Sequence, residues 1–201
     1  LRKKKTALVA GDVKYVDRNG DGVVDDNDRD IIGNPNPDFT YGFQTKVSWK
    51  SLSLSASFNG VQGRDILNVG NRYNNTPGTK SNNVTRKAFQ NMWTDENPSN
   101  LYPKSTFVVQ NMVMDRYVED GSYLRCSDIT LSYILPAKWT NKIGIKNTSV
   151  YASVKNAFVI TDYSGYDPEV NSFAFDGLRP GVDMNSYPTP RSFVFGLNLT
   201  F

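Results

Sequence analysis

The C-terminal stretch Arg191-Ser-Phe-Val-Phe-Gly-Leu-Asn-Leu-Thr-Phe201 alternates with a period of two. Phe193, Phe195, Leu197, Leu199 and Phe201 fall on one side; Ser192, Val194, Gly196, Asn198 and Thr200 fall on the other. Successive side chains of a strand point to opposite faces, so this predicts a strand with one apolar and one polar or small face. Four more segments repeat the pattern. In 40–49, Tyr41, Phe43, Val47 and Trp49 oppose Gly42, Gln44, Lys46 and Ser48; in 52–61, Leu52, Leu54, Ala56 and Phe58 oppose Ser53, Ser55, Ser57 and Asn59. In 122–135, Ile129, Leu131, Tyr133 and Leu135 oppose Asp128, Thr130 and Ser132; in 148–161, Val150, Ala152, Val154 and Phe158 oppose Ser149, Tyr151, Ser153 and Lys155. A soluble sandwich shares this arithmetic. The polar face, however, is rich in small hydroxyls, which suits a wet lumen. Ten residues at about 3.3 Å each, tilted by roughly 40°, span about 25 Å, the height of the apolar band of a membrane barrel.

Connection lengths sharpen the choice. Segments 40–49 and 52–61 are joined by Lys50-Ser51 alone, whereas 62–121 and 162–190 are long. Structureless loops beyond about 15 residues are uncommon in compact soluble domains. Short turns alternating with long loops describe an outer-membrane barrel, its short turns on the periplasmic side. The chain is therefore expected to be all-β. Residues 1–39 read as an extracellular loop segment. Residues 40–201 read as five transmembrane strands (about 40–49, 52–61, 122–135, 148–161 and 191–201) with long external loops 62–121 and 162–190. The C-terminus is expected at the periplasmic side of a bacterial outer membrane. Trp49, Tyr133 and Phe201 lie near strand ends, where an aromatic girdle belongs.

Composition excludes several classes. The 201 residues carry 23 basic and 20 acidic side chains, a net charge of +3 that is too small to argue for nucleic acid. No apolar run approaches the ~20 residues of a membrane-spanning helix. With no histidine and the single Cys126, histidine catalysis and an internal disulfide framework are both excluded. Cys126 is expected on the inner face as a small buried residue. The start, Leu1-Arg-Lys-Lys-Lys5, has no apolar core after it and is not a signal peptide, so a chain beginning mid-protein is expected. Arg2 to Lys5 read as a solvated charge run. Asp162, Asp167, Glu169, Asp176 and Asp183 in the last long loop read as turn residues, with no nucleophile–base pair among them. The chain reads as no enzyme. Tyr163, Tyr166, Phe173, Phe175 and Tyr187 in the same loop suit either stacking on sugars or packing against a partner.

One sharp chemical motif stands in Asp17-Arg-Asn-Gly-Asp-Gly-Val-Val-Asp-Asp-Asn-Asp28. As a twelve-residue calcium loop, Asp17, Asn19 and Asp21 fill positions 1, 3 and 5, Gly22 the turn, Val23 the carbonyl position, and Asp25 and Asp28 positions 9 and 12. A hard cation needs six to eight converging oxygens, which alternate side chains plus one carbonyl deliver from a tight loop. Asp28 replaces the usual bidentate glutamate, with a shorter arm. Pro35 and Pro37 preclude a second helix of useful length, so the expected calcium is structural rather than regulatory.

Gly11 through Asp28, then Ile32-Gly-Asn-Pro-Asn-Pro-Asp-Phe-Thr-Tyr-Gly-Phe43, resemble SusC/RagA-type TonB-linked outer-membrane transporters in their C-terminal part. The resemblance continues through Met92-Trp-Thr-Asp-Glu-Asn-Pro98, Asp120-Gly-Ser-Tyr-Leu-Arg125, Ile129-Thr-Leu-Ser-Tyr133, Tyr163-Ser-Gly-Tyr-Asp-Pro-Glu-Val170, Pro180-Gly-Val-Asp183, Tyr187-Pro188 and Phe195-Gly-Leu-Asn-Leu-Thr-Phe201. It implies a large plugged barrel, a SusD-like surface lipoprotein as partner, energy from the TonB complex through a part this chain does not show, and import of oligosaccharides or peptides. The alternative is a secreted calcium-stabilised carbohydrate-binding or dockerin-like module. A dockerin needs two calcium loops, each with a helix, and one loop followed by prolines is present.

Overall fold

In the computed structural model, residues 9–76, 83–105, 113–140, 145, 147–169, 172, 173 and 175–200 are described. The elements follow in order: β1 (Phe39–Trp49), β2 (Leu52–Gln62), β3 (Asp65–Asn68), α1 (Val69–Asn75), α2 (Arg86–Asn91), β4 (Val118–Asp120), β5 (Tyr123–Ile134), α3 (Ala137–Thr140), β6 (Asn147–Thr161), β7 (Val182–Asp183) and β8 (Ser192–Thr200). Five of them make one antiparallel sheet in the order β1-β2-β5-β6-β8. Its two-residue hairpin turn carries Lys50 at a φ of 54°, the left-handed conformation that matches the strands' twist.

Register matters because a one-residue slip would exchange the two faces. Here the apolar positions line up across all five strands. One row runs Trp49, Leu52, Tyr133, Val150, Leu197; the next Val47, Leu54, Leu131, Ala152, Phe195; the next Thr45, Ala56, Ile129, Val154, Phe193. The intervening rows are Ser48, Ser53, Ser132, Tyr151, Gly196, then Lys46, Ser55, Thr130, Ser153, Val194, then Gln44, Ser57, Asp128, Lys155, Ser192. Among the described residues nothing packs on the apolar rows: Phe193 is 66% and Phe195 78% exposed. A sandwich needs a second sheet on that face, and the structure has none among the described residues. The chain presents 14367 Å² of accessible surface at 22.5 kDa, against about 9,500 Å² for a compact monomer of that mass. The bare apolar face is part of that surplus.

The rows shift phase toward the other end. Ser57 pairs with Asp128 but Phe58 with Cys126, so β5 holds one residue more than β2 there; β6 holds one more again, since Asp128 pairs with Lys155 and Cys126 with Phe158. Each extra residue is a β-bulge. On β6 it includes Asn156 at a φ of 52°, a conformation asparagine tolerates better than most residues. The single insertion in β5 reverses which side chains face which way. This corrects the expectation for Cys126: it is wholly buried, but in register with Phe58 and Phe158, whose rings stand 6.4 Å apart on the apolar face. Tyr123 and Arg125 turn to the polar face instead.

The expected structureless connections also need correcting. The 62–121 stretch holds α1, capped by Asn68 Oδ1 accepting from the Asn71 amide at 2.8 Å, and α2, capped by Thr85 Oγ1 accepting from the Ala88 amide at 3.1 Å. A three-stranded sheet, β4-β3-β7, ties both long connections together, with β3 antiparallel to β4 and parallel to β7. Ile66, Ala88, Met114, Tyr117 and Tyr163 are buried in these connections, not in the strand wall. The core therefore sits at the loop-bearing end of the sheet.

Candidate functional site

Loop 17–28 winds through glycines at positive φ, Gly20 at 74° and Gly22 at 78°. Its oxygens turn inward onto backbone amides. Asp17 accepts from the Gly20 and Gly22 amides, both at 2.7 Å; Asn19 Oδ1 from the Asp21 amide at 2.9 Å; Asp21 from the Val23 amide at 2.7 Å; Asp25 from the Asn27 amide at 2.8 Å. Asp28 closes the loop, accepting from the Arg18 amide at 2.8 Å and the Asp25 amide at 2.7 Å. The Asp25 amide foremost, with those of Arg18 and Asn19, holds the Asp28 carboxyl below the usual carboxylate range. Among the described residues no three acidic, cysteine or histidine side chains gather as a metal-binding group. Asp17, Asn19, Asp21, Val23, Asp25 and Asp28 thus share one small loop, with the side-chain oxygens turned onto backbone amides rather than gathered on one centre.

The polar face of the sheet is a ladder of short side chains. Gln44 Nε2 donates to Ser57 Oγ at 3.0 Å; Ser48 and Ser53 hydroxyls meet at 2.8 Å; Thr130 and Ser153 hydroxyls each donate to Asp128 at 2.7 Å. Tyr151 lies over Gly196, where any Cβ would collide with its ring. Such a surface holds water well and offers no apolar grip.

Above it, the bulges deliver a charged cluster that the turn-residue expectation missed. Arg125, 5% exposed, sends Nη2 to Asp167 Oδ1 at 2.5 Å and brings Nε to 2.9 Å from Glu169 Oε2. Glu169 Oε1 also accepts from the Tyr123 hydroxyl at 2.5 Å and the Asn59 amide group at 3.1 Å. Asp167 accepts from the Glu169 amide at 2.9 Å and the Thr189 amide at 3.0 Å. Burial alone would raise the Asp167 pKa, but those two amides and the Arg125 guanidinium hold it below the ordinary value. Nearby, the Tyr163 hydroxyl donates to Asp183 at 2.7 Å, and burial followed by that bond pushes its phenol up. Tyr166, Phe175 and Tyr187 remain exposed. The missed signal was present: Leu124 and Ile129 are five residues apart and share a face only if the strand carries an extra residue.

No protein-family model matches the chain. It is 35% identical over 201 residues to TonB-dependent receptor P26 of Formosa agariphila, covering 96% of this chain and 20% of that protein. To TonB-dependent receptor SusC of Bacteroides thetaiotaomicron it is 34% identical over 194 residues, covering 93% of this chain and 17% of that protein. Among solved structures, the RagAB peptide importer in its open-open state superposes with a TM-score of 0.70 and 29% identity, covering 85% of this chain and 18% of that one. The RagAB peptide transporter gives 0.71 and 28%. The chain thus spans about a fifth of the length of the curated relatives it matches. Those relatives are receptors and importers, and this chain is not an enzyme. On sequence, strand order and the opposed faces of its sheet, the chain matches one part of the TonB-dependent outer-membrane β-barrel receptors of the SusC/RagA type.

Proposed function

We propose that this chain forms barrel wall and loops in an importer of oligosaccharides or peptides, working with a SusD-like surface lipoprotein and energised through TonB. The observation that carries the reading is the unbroken apolar face across β1, β2, β5, β6 and β8, backed by a face of hydroxyls. Hydrocarbon covers the first and water the second, the arrangement a closed membrane barrel requires. The C-terminus of β8 and the Lys50-Ser51 turn then lie at the periplasmic rim, and residues 62–121 and 162–190 outside. Aromatic and aliphatic side chains left bare in the loops, Tyr166, Phe175, Leu178 and Tyr187, support a protein or sugar partner there.

The test uses the full-length protein in its own outer membrane. Detergent-dependent recovery with a co-purifying lipoprotein, and loss of growth on one oligosaccharide or peptide source when the gene is deleted, are expected. Release into buffer without detergent overturns the reading. As part of the same proposal, loop 17–28 holds a structural calcium through Asp17, Asn19, Asp21, the Val23 carbonyl, Asp25 and Asp28. Terbium luminescence that calcium quenches, and that the Asp17→Ala, Asp21→Ala double variant abolishes, is expected. A wild-type protein giving no terbium signal refutes the ion.

A further inference from the structure

The last long connection leaves β6 at Thr161 and returns to β8 at Ser192. Its two ends are drawn together at one carboxylate. Asp167 accepts from Glu169 on the outgoing side, from Thr189 on the returning side, and from Arg125 on the wall. Beside it, the Asn156 side chain at the β6 bulge donates to the Pro190 carbonyl at 3.1 Å. Further along, β7 pairs with β3, Tyr163 and Pro168 are buried, and Glu119 on β4 accepts from Asn68, Asn71, and the amide and hydroxyl of Ser164, all between 2.9 and 3.1 Å.

Arg125 reaches this junction only because the bulge in β5 turns it to the polar face, away from the apolar row of Phe58 and Phe158. Its planar guanidinium donates to Asp167 through Nη2 and lies in ion-pair contact with Glu169 through Nε, one carboxylate on either side of Pro168. A buried ion pair of this kind contributes little net stability against apolar packing, yet losing one partner strands the other charge. Its use is to fix one arrangement among several.

We propose that Arg125 is a latch: a positioning residue that pins the neck of the 163–189 connection against the lumen wall and holds it as a strap across the loop-bearing end of the barrel. The term lumen rests on the importer reading; the latch itself rests on contacts within this chain. Breaking it frees the strap while the five-stranded wall persists, because no wall strand pairs through these groups.

Hydrogen exchange on the full-length protein, purified in detergent, tests this. In Arg125→Gln, peptides covering 163–169 and 186–190 should exchange faster by roughly a hundredfold or more, with β2 and β8 peptides unchanged. Arg125→Lys, a point charge without the fork, should fall between the two. The loop-side Asp167→Asn, Glu169→Gln double variant leaves the wall residue in place and should loosen the same peptides, which decides the matter if Arg125→Gln fails to assemble. Strap peptides exchanging at the wild-type rate in the loop-side variant overturn the latch. Faster strap exchange in the variants of a protein that imports neither oligosaccharides nor peptides counts against the importer reading and leaves the latch standing.

Discussion

Placing one arginine on each face of β2 separates membrane-facing from water-facing positions at adjacent residues. Ala56 lies in the row Thr45, Ala56, Ile129, Val154, Phe193, and Ser55 in the row Lys46, Ser55, Thr130, Ser153, Val194. On the apolar face, two rows lie on either side of Ala56: those of Leu54 and Leu52 toward the hairpin, and those of Phe58 and Gly60 away from it. Two residues at about 3.3 Å, tilted by roughly 40°, put successive rows about 5 Å apart along the membrane normal, so Ala56 stands about 10 Å from either margin. That is close to the midplane, where arginine on the lipid face costs about 2–4 kcal/mol. Ser55→Arg enters a water-facing polar wall between Lys46 and Thr130, where solvent screens the Lys46 charge, and should stay within about 0.5 kcal/mol. At about 1.4 kcal/mol per tenfold, Ala56→Arg should lower the folding equilibrium by at least roughly thirtyfold while Ser55→Arg leaves it nearly unchanged. The assay is guanidinium unfolding of the full-length barrel in phospholipid vesicles, followed by tryptophan fluorescence. Equal costs at the two sites, or a larger cost at Ser55, would refute the assignment of faces.

Other outcomes follow from the same geometry. Gly196→Val should drive a side chain into the Tyr151 ring and cost about 1–3 kcal/mol in the same unfolding assay, with Tyr151→Ala in the double variant recovering most of it. Cys126, wholly buried at the level of Phe58 and Phe158, should resist a hydrophilic maleimide until the barrel is denatured; prompt labelling of native protein would contradict its position. The Asp167 carboxyl sits below its ordinary pKa of 3.8 in the folded strap, so its stabilisation is complete above that value and lost as pH falls through the lower folded one. Strap peptides should therefore show unchanged exchange protection, corrected for intrinsic rate, from pH 7 to 5, and lose it only below about 3.8. Loss of protection between pH 7 and 5 would point to a different group.

The sheet was legible because nearly every wall residue obeys a single constraint, apolar on one side and polar or small on the other, repeated every two positions. Phe193 to Leu199 and Leu52 to Phe58 show it without interruption. The loop architecture was not legible for the opposite reason. β7 is two residues long and β4 three, too short for a period to register, and they are strands only because β3 lies beside both. The Arg125 cluster failed in a third way. Its acids are local turn-formers in sequence, as the amide bonds of Asp167 confirm, and only the fold brings a guanidinium from some forty residues earlier to the same spot. The glycine turns of residues 17–28 were legible too, and the structure adds that the carboxylates there are bent around their own backbone.

The extra residue at Ser127 acts as a phase shifter. Deleting it would rotate Tyr123 and Arg125 to the apolar side of the sheet and carry Leu124 and Cys126 to the polar side, although no side chain had changed identity. A search that walks such a wall with a fixed two-step stride will therefore cut β5 in half and discard the portion bearing its only buried cation. Allowing the stride to slip by one near Ser127 joins the halves into a single twelve-residue crossing.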